Sequence, residues 1–427
     1  MLTAITGINW GDEGKGRMVD LISQEYDIVA RYQGGNNAGH TVKNERGKFV
    51  LNLLPSGILR PNVVCVMGNG MVIDPHHLDG EINKLREQGV EISPANLKIS
   101  DRATITMPYH VEQDGLEEAR LSKTGAQFGS TKRGIAYTYG DKYMKKTLRM
   151  GDLLHLDDAV KKRLVTMVDS KNLVMEGSYN AAPISVDEMW AWLEKYAAIF
   201  KDYICDVGQY LADADAAGKK VLFEAQLGAL RDIDFGIYPY TTSSNVIGAY
   251  APIGAGIPGH KLHNSIGVMK AYSTCVGEGP FTCELFGEEA EKLREAGGEY
   301  GAATGRPRRV GPFDVVASRY GIRVQGCTEI ALTKLDVLSY LEEIPICAQY
   351  ELNGEIIDEF PYAAILPEAK PVIRKVKGWH CDISKCRTKE ELPKEALDYI
   401  QLLEEMTGCS IRYVSVGAER DAYIRMY

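Results

Sequence analysis

One stretch constrains this chain more than any other: Gly7-Ile8-Asn9-Trp10-Gly11-Asp12-Glu13-Gly14-Lys15-Gly16-Arg17. An apolar run, Leu2 to Ile5, leads into it, and an amphipathic run, Met18 to Ile22, leads out. That order is strand, glycine-rich loop, helix. Four glycines within ten residues let the backbone curl and turn its N–H groups inward. Such a nest at a helix N-terminus is an anion site, with phosphate the usual guest, and Lys15 adds a cation. The loop is not a Walker A motif, which needs Gly six residues before its Lys and Ser or Thr just after. Those positions hold Asn9 and Gly16. Without that hydroxyl, Asp12 and Glu13 are the nearest oxygen donors for magnesium. A carboxylate inside a phosphate cradle repels its guest unless a cation lies between them. The loop therefore points to phosphate, a divalent metal and a carboxylate with a chemical task. The bland alternative is a glycine-rich turn with a solvated Asp-Glu pair.

Residues 26–32 read as a second strand at βαβ spacing. They run into another glycine-rich polar loop, Gln33-Gly34-Gly35-Asn36-Asn37-Ala38-Gly39-His40-Thr41. Ligands of open parallel sheets collect at the carboxyl ends of strands, so both loops are expected to face one site. Further strands are expected at 49–54, 63–67, 97–100, 221–223, 266–272, 330–332 and 411–415. Leu78, Ile82 and Leu85 mark a helix by their spacing. Other helices are expected at 111–122, from the Ser185/Glu188 capping box to about residue 217, and near 395–406. Residues 123–141, with Thr131-Lys132-Arg133-Gly134 at their centre, read as a long irregular binding loop. The strand at 221–223 enters Glu224-Ala225-Gln226-Leu227-Gly228, and residues 232–245 beyond it have the composition of a functional loop. Residues 301–309 carry Arg306, Arg308 and Arg309, whose guanidinium forks match carboxylate and phosphate oxygens; a solvated charge run is the alternative.

A net charge of −9 argues against a nucleic-acid-binding surface as the main function. No run reaches the ~18 apolar residues of a membrane span. The N-terminus lacks the basic region of a secretory signal. Nine cysteines scattered singly suit a reducing, cytoplasmic setting better than a disulfide framework. His380-Cys381 with Cys386 lacks the second cysteine pair of a zinc site. No linker, internal repeat or low-complexity tract divides the 427 residues, so one catalytic domain over 1–427 is expected, with peripheral subregions around 101–218 and 367–427.

With these residues laid out, the chain resembles the adenylosuccinate synthetase family along essentially its whole length. The matching motifs are Trp10 to Gly16, Gln33-Gly34-Gly35 with Asn37 to Thr41, and Leu54-Pro55-Ser56-Gly57-Ile58. Further on come Tyr238-Pro239-Tyr240 with Thr242 to Asn245, Lys270 to Thr274, Gly279-Pro280-Phe281, and Thr333-Lys334-Leu335-Asp336. Their order and spacing together are specific. The resemblance implies an α/β fold related to P-loop NTPases, with a large, mostly parallel central sheet, helices on both sides and antiparallel additions. It implies a cytoplasmic homodimer that joins IMP to L-aspartate with GTP and Mg2+, the first committed step from IMP to AMP. Asp12 would take the proton from purine N1, the 6-oxygen would attack the γ-phosphorus of GTP, and His40 would act as general acid. Lys15 and Gln226 would complete the catalytic set. Asp12 and the Gly39 carbonyl would bind the metal. GTP would be held by Gly11 to Gly16, Gly39, His40, Thr41, Arg308, Lys334, Leu335, Asp336, Ser415, Val416 and Gly417, with Asp336 reading guanine. IMP would be held by Asp12, Glu13, Gly14, Lys15, Asn37, Ala38, Gly39, His40, Thr131, Lys145, Gln226, Thr242 and Arg306. Ala303, Thr304, Gly305, Arg306, Pro307, Arg308 and Arg309 would close on aspartate.

Four regions depart from the family pattern. Phe-Glu-Gly-Ala-Gln-Gly becomes Phe223-Glu224-Ala225-Gln226-Leu227-Gly228. A gapless register puts Leu227 where the Gln contacting the purine 6-oxygen belongs; a one-residue shift restores that contact through Gln226, and is the reading adopted. Lys145 replaces an arginine that reaches IMP across the dimer interface. Ala303 replaces a Thr in the aspartate loop, and Pro312 just beyond stands where a Trp is usual. Cys275 replaces an arginine after Lys-Ala-Tyr-Ser-Thr. These changes leave open a 2-aminopurine nucleotide such as dGMP as substrate with the same chemistry. A GTP-binding switch without ligation is the other alternative, but it has no use for Asp12 as a base.

Overall fold

The computed structural model describes residues 1–37, 39–44, 47–126, 129–300, 305 and 307–427, with residues 43 and 44 described by backbone alone. Ten strands of the described residues form one sheet. In chain order they are β1 (Leu2–Gly7), β2 (Ile28–Arg31), β3 (Val64–Met67), β4 (Leu97–Ser100), β5 (Ile204–Cys205), β6 (Val221–Gly228), β7 (Asn264–Lys270), β8 (Glu329–Thr333), β9 (Ile411–Ser415) and β10 (Tyr423–Arg425). Across the sheet the order is β10-β9-β8-β7-β1-β6-β2-β3-β4-β5. All neighbours run parallel except the edge pair β9 and β10.

Every residue of β1 is buried, as the continuous run Leu-Thr-Ala-Ile-Thr-Gly suggests for a strand covered on both faces. Leu2 and Ala4 pack with Ile28, Phe223, Val207 and Leu211. Ile5, on the other face, packs with Met18, Val19, Val29 and Leu222. The expected α/β architecture, mostly parallel with antiparallel additions, is the one found. The strand-end loops of β1, β2, β6, β7, β8 and β9 carry the motifs singled out above, and these central strands bring them to one edge of the sheet.

Three local expectations differ. The helix expected from Ser185 to about residue 217 is two helices, Val186–Phe200 and Val207–Ala216, with edge strand β5 between them. Ile204 pairs with Ile99, and the Asp206 side chain accepts from Gln209 N to cap the second helix. Sheet pairing and the cap override a continuous helical pattern. The loop expected over 123–141 ends in a helix, Ile135–Tyr143. It starts at Gly134, whose φ of 73° suits glycine, and buries Ile135, Thr138 and Tyr139 on one face. The loop that was expected to include His40 and Thr41 stops before them, because His40–Asn44 and Gly47–Leu51 form a hairpin.

Candidate active site

The loop after β1 is curled by three residues of positive φ: Gly11 (103°), Asp12 (60°) and Gly14 (99°). It opens α1 (Lys15–Ile22), whose N-cap residue Gly14 gives no side-chain cap. The first-turn N–H groups therefore have neither an intrahelical acceptor nor a side-chain cap. The two acidic residues part company here. The Glu13 carboxylate turns inward, accepting from Asn9 N (3.1 Å), Gly11 N (2.8 Å) and Lys15 Nζ (2.7 Å). Only the Glu13 backbone can face a phosphate. Asp12 turns outward, its side chain 40% exposed, and pairs with Arg308 Nη2 at 3.1 Å. Gly7 makes room for this packing: a Cβ there would lie 2.4 Å from Leu227 O and 2.6 Å from Glu13.

The second loop lies against the first. Gly16 packs so closely on His40 that a Cβ on it would fall 2.6 Å from the His40 Cβ. His40 Nδ1 donates to Glu224 Oε1 at 2.5 Å, which leaves Nε2 for a substrate. Glu224, at the end of β6, also accepts from Ser56 N (2.7 Å) and Ser56 Oγ (2.6 Å). Burial pushes its carboxyl up, but the charge and hydrogen bond of His40, the Arg31 charge and the Ser56 hydroxyl bring it below the usual carboxylate range. Glu224 thus stays ionised as the orienting partner of His40. Sequence reasoning missed this role. The available signal was a carboxylate ending the buried run Val221-Leu222-Phe223.

Between Ile5↔Glu224 and Gly7↔Gly228 the β1–β6 register slips, and Leu227 takes a φ of 58°. Its side chain packs beside Gly11, next to Asp12. Gln226 is buried against the second loop: Nε2 donates to Gly35 O (2.6 Å) and Asn52 O (3.2 Å), and Oε1 has no partner among the described residues. Gln33 ties the neighbourhood together, donating to Gln226 O at 3.0 Å and accepting from Ser244 Oγ at 3.1 Å. Thr242 is held by its N–H on Arg231 O, and its buried Oγ1 has no described partner. Asn37 Oδ1 accepts from Gly35 N at 3.3 Å.

The Thr333-Lys334-Leu335-Asp336 motif joins the same cluster. Thr333 Oγ1 donates to Glu13 O at 2.7 Å. Lys334 follows with φ 60° and opens the short helix Leu335–Tyr340 that carries Asp336. Burial holds the Asp336 carboxyl above its ordinary value, although Lys334 and Arg17 pull it down. Arg17, on α1, donates to Ser415 Oγ at 2.7 Å and to Gly417 O, so α1 braces the Ser415-Val416-Gly417 segment. Sequence reasoning left Arg17 without a role.

Of the arginines, Arg308 bridges Asp12 and Glu299, while Arg309 is committed to Glu284 (2.9 Å) and Gly279 O (2.7 Å). Arg309 therefore braces the loop's end and is not turned toward Asp12. Pro307, Gly305, Gly39 and Thr41 are exposed. Ala38, Ala303, Thr304 and Arg306 lie outside the described residues. Thr131 and Lys145 are exposed, and no described contact joins them to the loop cluster. Near Cys275, Arg231 Nη2 donates to its Sγ at 3.2 Å and to Val276 O at 2.5 Å, while Nη1 donates to Tyr240 O at 2.5 Å. A guanidinium thus reaches this corner from Arg231, although position 275 carries none.

Known proteins resemble this chain along nearly its whole length. The family profile described as adenylosuccinate synthetase matches residues 4–424. An adenylosuccinate synthetase of Caldanaerobacter subterraneus subsp. tengcongensis is 44% identical over 426 residues, covering 99% of this chain and 98% of the relative. One from Carboxydothermus hydrogenoformans is 46% identical over 421 residues, covering 98% and 97%. The fully ligated adenylosuccinate synthetase of Plasmodium falciparum superposes with a TM-score of 0.92 at 37% identity, covering 100% of this chain and 99% of that one. Cyanophage S-2L succinoaminodeoxyadenylate synthetase, at 18% identity and a TM-score of 0.62, shares the fold. The strand-end loops, the outward Asp12 and the carboxylate-held His40 are thus set in a chain that belongs to the adenylosuccinate synthetase family of carbon–nitrogen ligases.

Proposed function

We propose that the chain joins IMP to L-aspartate, driven by GTP, and releases adenylosuccinate, GDP and phosphate. Asp12 is the observation that carries this reading: an exposed carboxylate at the mouth of an uncapped helix N-terminus, where a phosphate site alone would exclude it. Asp12 accepts the proton from N1 of the purine. The 6-oxygen then attacks the γ-phosphorus, forming an O6–P bond as the bond to GDP breaks. The aspartate amine adds at carbon 6, and phosphate departs with the former 6-oxygen. An amide-like oxygen leaves poorly and a phosphate leaves well.

Phosphoryl transfer depends on alignment and charge neutralisation. Lys15 and the α1 N–H groups supply these, and His40, oriented by Glu224, donates a proton at the transferring phosphate. For Asp12 to act as base, Arg308 must release it; Glu299 offers that guanidinium a second partner at 2.7 Å. The donor set also fits a hard cation: the Asp12 carboxylate and the exposed Gly39 carbonyl are oxygen ligands of the kind magnesium takes. Bound there, magnesium would neutralise phosphate charge. Thr242, Asn37, Thr131, Gln226 and Arg306 hold IMP in this reading. The exposed Lys145 reaches the IMP phosphate of a second copy in a cytoplasmic homodimer. Lys334 and Asp336 read guanine beside Ser415 to Gly417, and the arginine loop takes the aspartate carboxylates.

Purified protein with GTP, magnesium, IMP and aspartate tests this by the appearance of adenylosuccinate in the purine absorbance band. Formation with IMP supports the reading. A product with dGMP and none with IMP would replace it by the 2-aminopurine reaction, and GTP hydrolysis indifferent to both co-substrates would replace it by a switch.

A further inference from the structure

Glu299 belongs to none of the motifs that mark the active site. It lies between the helix Gly287–Gly297 and the arginine loop, and it is completely buried. Three donors meet its carboxylate, Lys270 Nζ at 2.9 Å, Tyr272 Oη at 2.5 Å and Arg308 Nη1 at 2.7 Å, and Lys334 Nζ, which donates to Gly297 O, adds an ion pair at 3.3 Å. The backbone repeats the connection, with Arg308 N donating to Glu299 O at 2.9 Å across the base of the loop. Burial pushes this carboxyl up, but Lys270, Lys334 and the Tyr272 hydroxyl more than reverse that, so it stays ionised.

One buried cation is enough to neutralise one buried carboxylate, and Lys270, only 3% exposed and 2.9 Å away, already does so. The other two cations need a different account. Lys334 comes from the end of β8 and Arg308 from the arginine loop, and Arg308 continues to Asp12. Asp12, Arg308, Glu299 and Lys334 thus form one chain of charge contacts from the loop after β1 to the base-pocket motif. We propose that Glu299 is a positioning residue that sets Arg308 and Lys334 relative to each other, so that aspartate capture and guanine recognition depend on the same carboxylate. Without it, Arg308 keeps Asp12 as its ion-pair partner, and Lys334 is left with its hydrogen bond to Gly297 O alone. This rests on the functional reading above for the roles of Arg308 and Lys334.

The test is steady-state kinetics of the full chain as wild type, Glu299→Gln, Glu299→Asp, and Glu299→Gln combined with Lys270→Met, which removes a cation along with the carboxylate. Thermal melts accompany each. Glu299→Gln is expected to raise KM for aspartate and for GTP by about tenfold or more, leave KM for IMP within about twofold, and be partly rescued by Glu299→Asp. GDP affinity by calorimetry, without IMP or aspartate, should fall by about tenfold, a readout that needs no turnover. A wild type that makes no adenylosuccinate would overturn the functional reading and leave the calorimetric result to judge Glu299. The proposal fails if aspartate and GTP constants stay near wild type in a folded variant, if all three KM values rise together, or if neither Gln variant folds.

Discussion

His40 Nδ1 lies 2.5 Å from a Glu224 oxygen that has no exposure to solvent. The contact fixes which nitrogen of His40 is left for chemistry. Glu224→Gln weakens the contact that orients His40 and should lower kcat by about a hundredfold or more, with KM for IMP changed little. A folded variant with wild-type kcat would show that Glu224 only packs.

Gly16→Ala adds a methyl group 2.6 Å from the His40 Cβ. Alanine favours a helix by about 1 kcal/mol over glycine, which offsets part of the roughly 1–3 kcal/mol cost of overpacking, so the fold should survive with a modest drop in melting temperature. Activity should nevertheless fall by about tenfold, because His40 must move. Equal loss of stability and activity would point to general disruption of α1.

Arg17→Met cuts the link from α1 to Ser415 and Gly417. KM for GTP should rise by about tenfold while KM for IMP stays within about twofold, measured by varying each substrate in turn.

Arg231→Ala should raise KM for IMP by about tenfold, since Arg231 ties Tyr240, in the Thr242 loop, to Cys275 and Val276. Adding Cys275→Arg returns a guanidinium to the same corner from the other side. Recovery of KM in the double variant would show that one cation serves this corner from either position.

Asp314 makes a prediction about stability. Its carboxyl is fully buried, accepts from Tyr350 Oη (2.6 Å) and Ala317 N (2.9 Å), and is pushed by burial from 3.8 up to about 6. A raised carboxyl favours the folded state most below pH 3.8, and that advantage is lost as pH rises through about 6. At neutral pH the buried charge costs about 2 to 3 kcal/mol. Asp314→Asn keeps the helix-capping oxygen and should flatten the pH dependence, with the larger gain at pH 8 than at pH 5 in denaturant titrations.

The strands were legible because central parallel strands are near-continuous apolar runs, as in Val221 to Phe223 and Ile330 to Leu332. The loop after β1 was legible because its glycines and charges have no packing use. What stayed hidden depends on tertiary pairing. Glu13 and Asp12 look alike in sequence, and only the curl of the loop sends one inward and the other out. Glu224, Arg17, Arg231 and Glu299 are charged residues whose roles come from tertiary partners, as in Arg231–Cys275, 44 positions apart, and Arg17–Ser415, 398 apart. The helix break at Ile204 needed the sheet edge that receives it. The departure from the family motif at 223–228 pointed to a one-residue shift, but only the strand pairing places Gln226 against Gly35 and Leu227 beside Gly11.

The central claim is that the purine 6-oxygen is phosphorylated before aspartate displaces it. Incubating the protein with GTP, magnesium, aspartate and IMP carrying oxygen-18 at the 6-position tests this directly by mass spectrometry of the released phosphate. The account predicts one oxygen-18 in each phosphate formed with adenylosuccinate. Unlabelled phosphate alongside adenylosuccinate would contradict it.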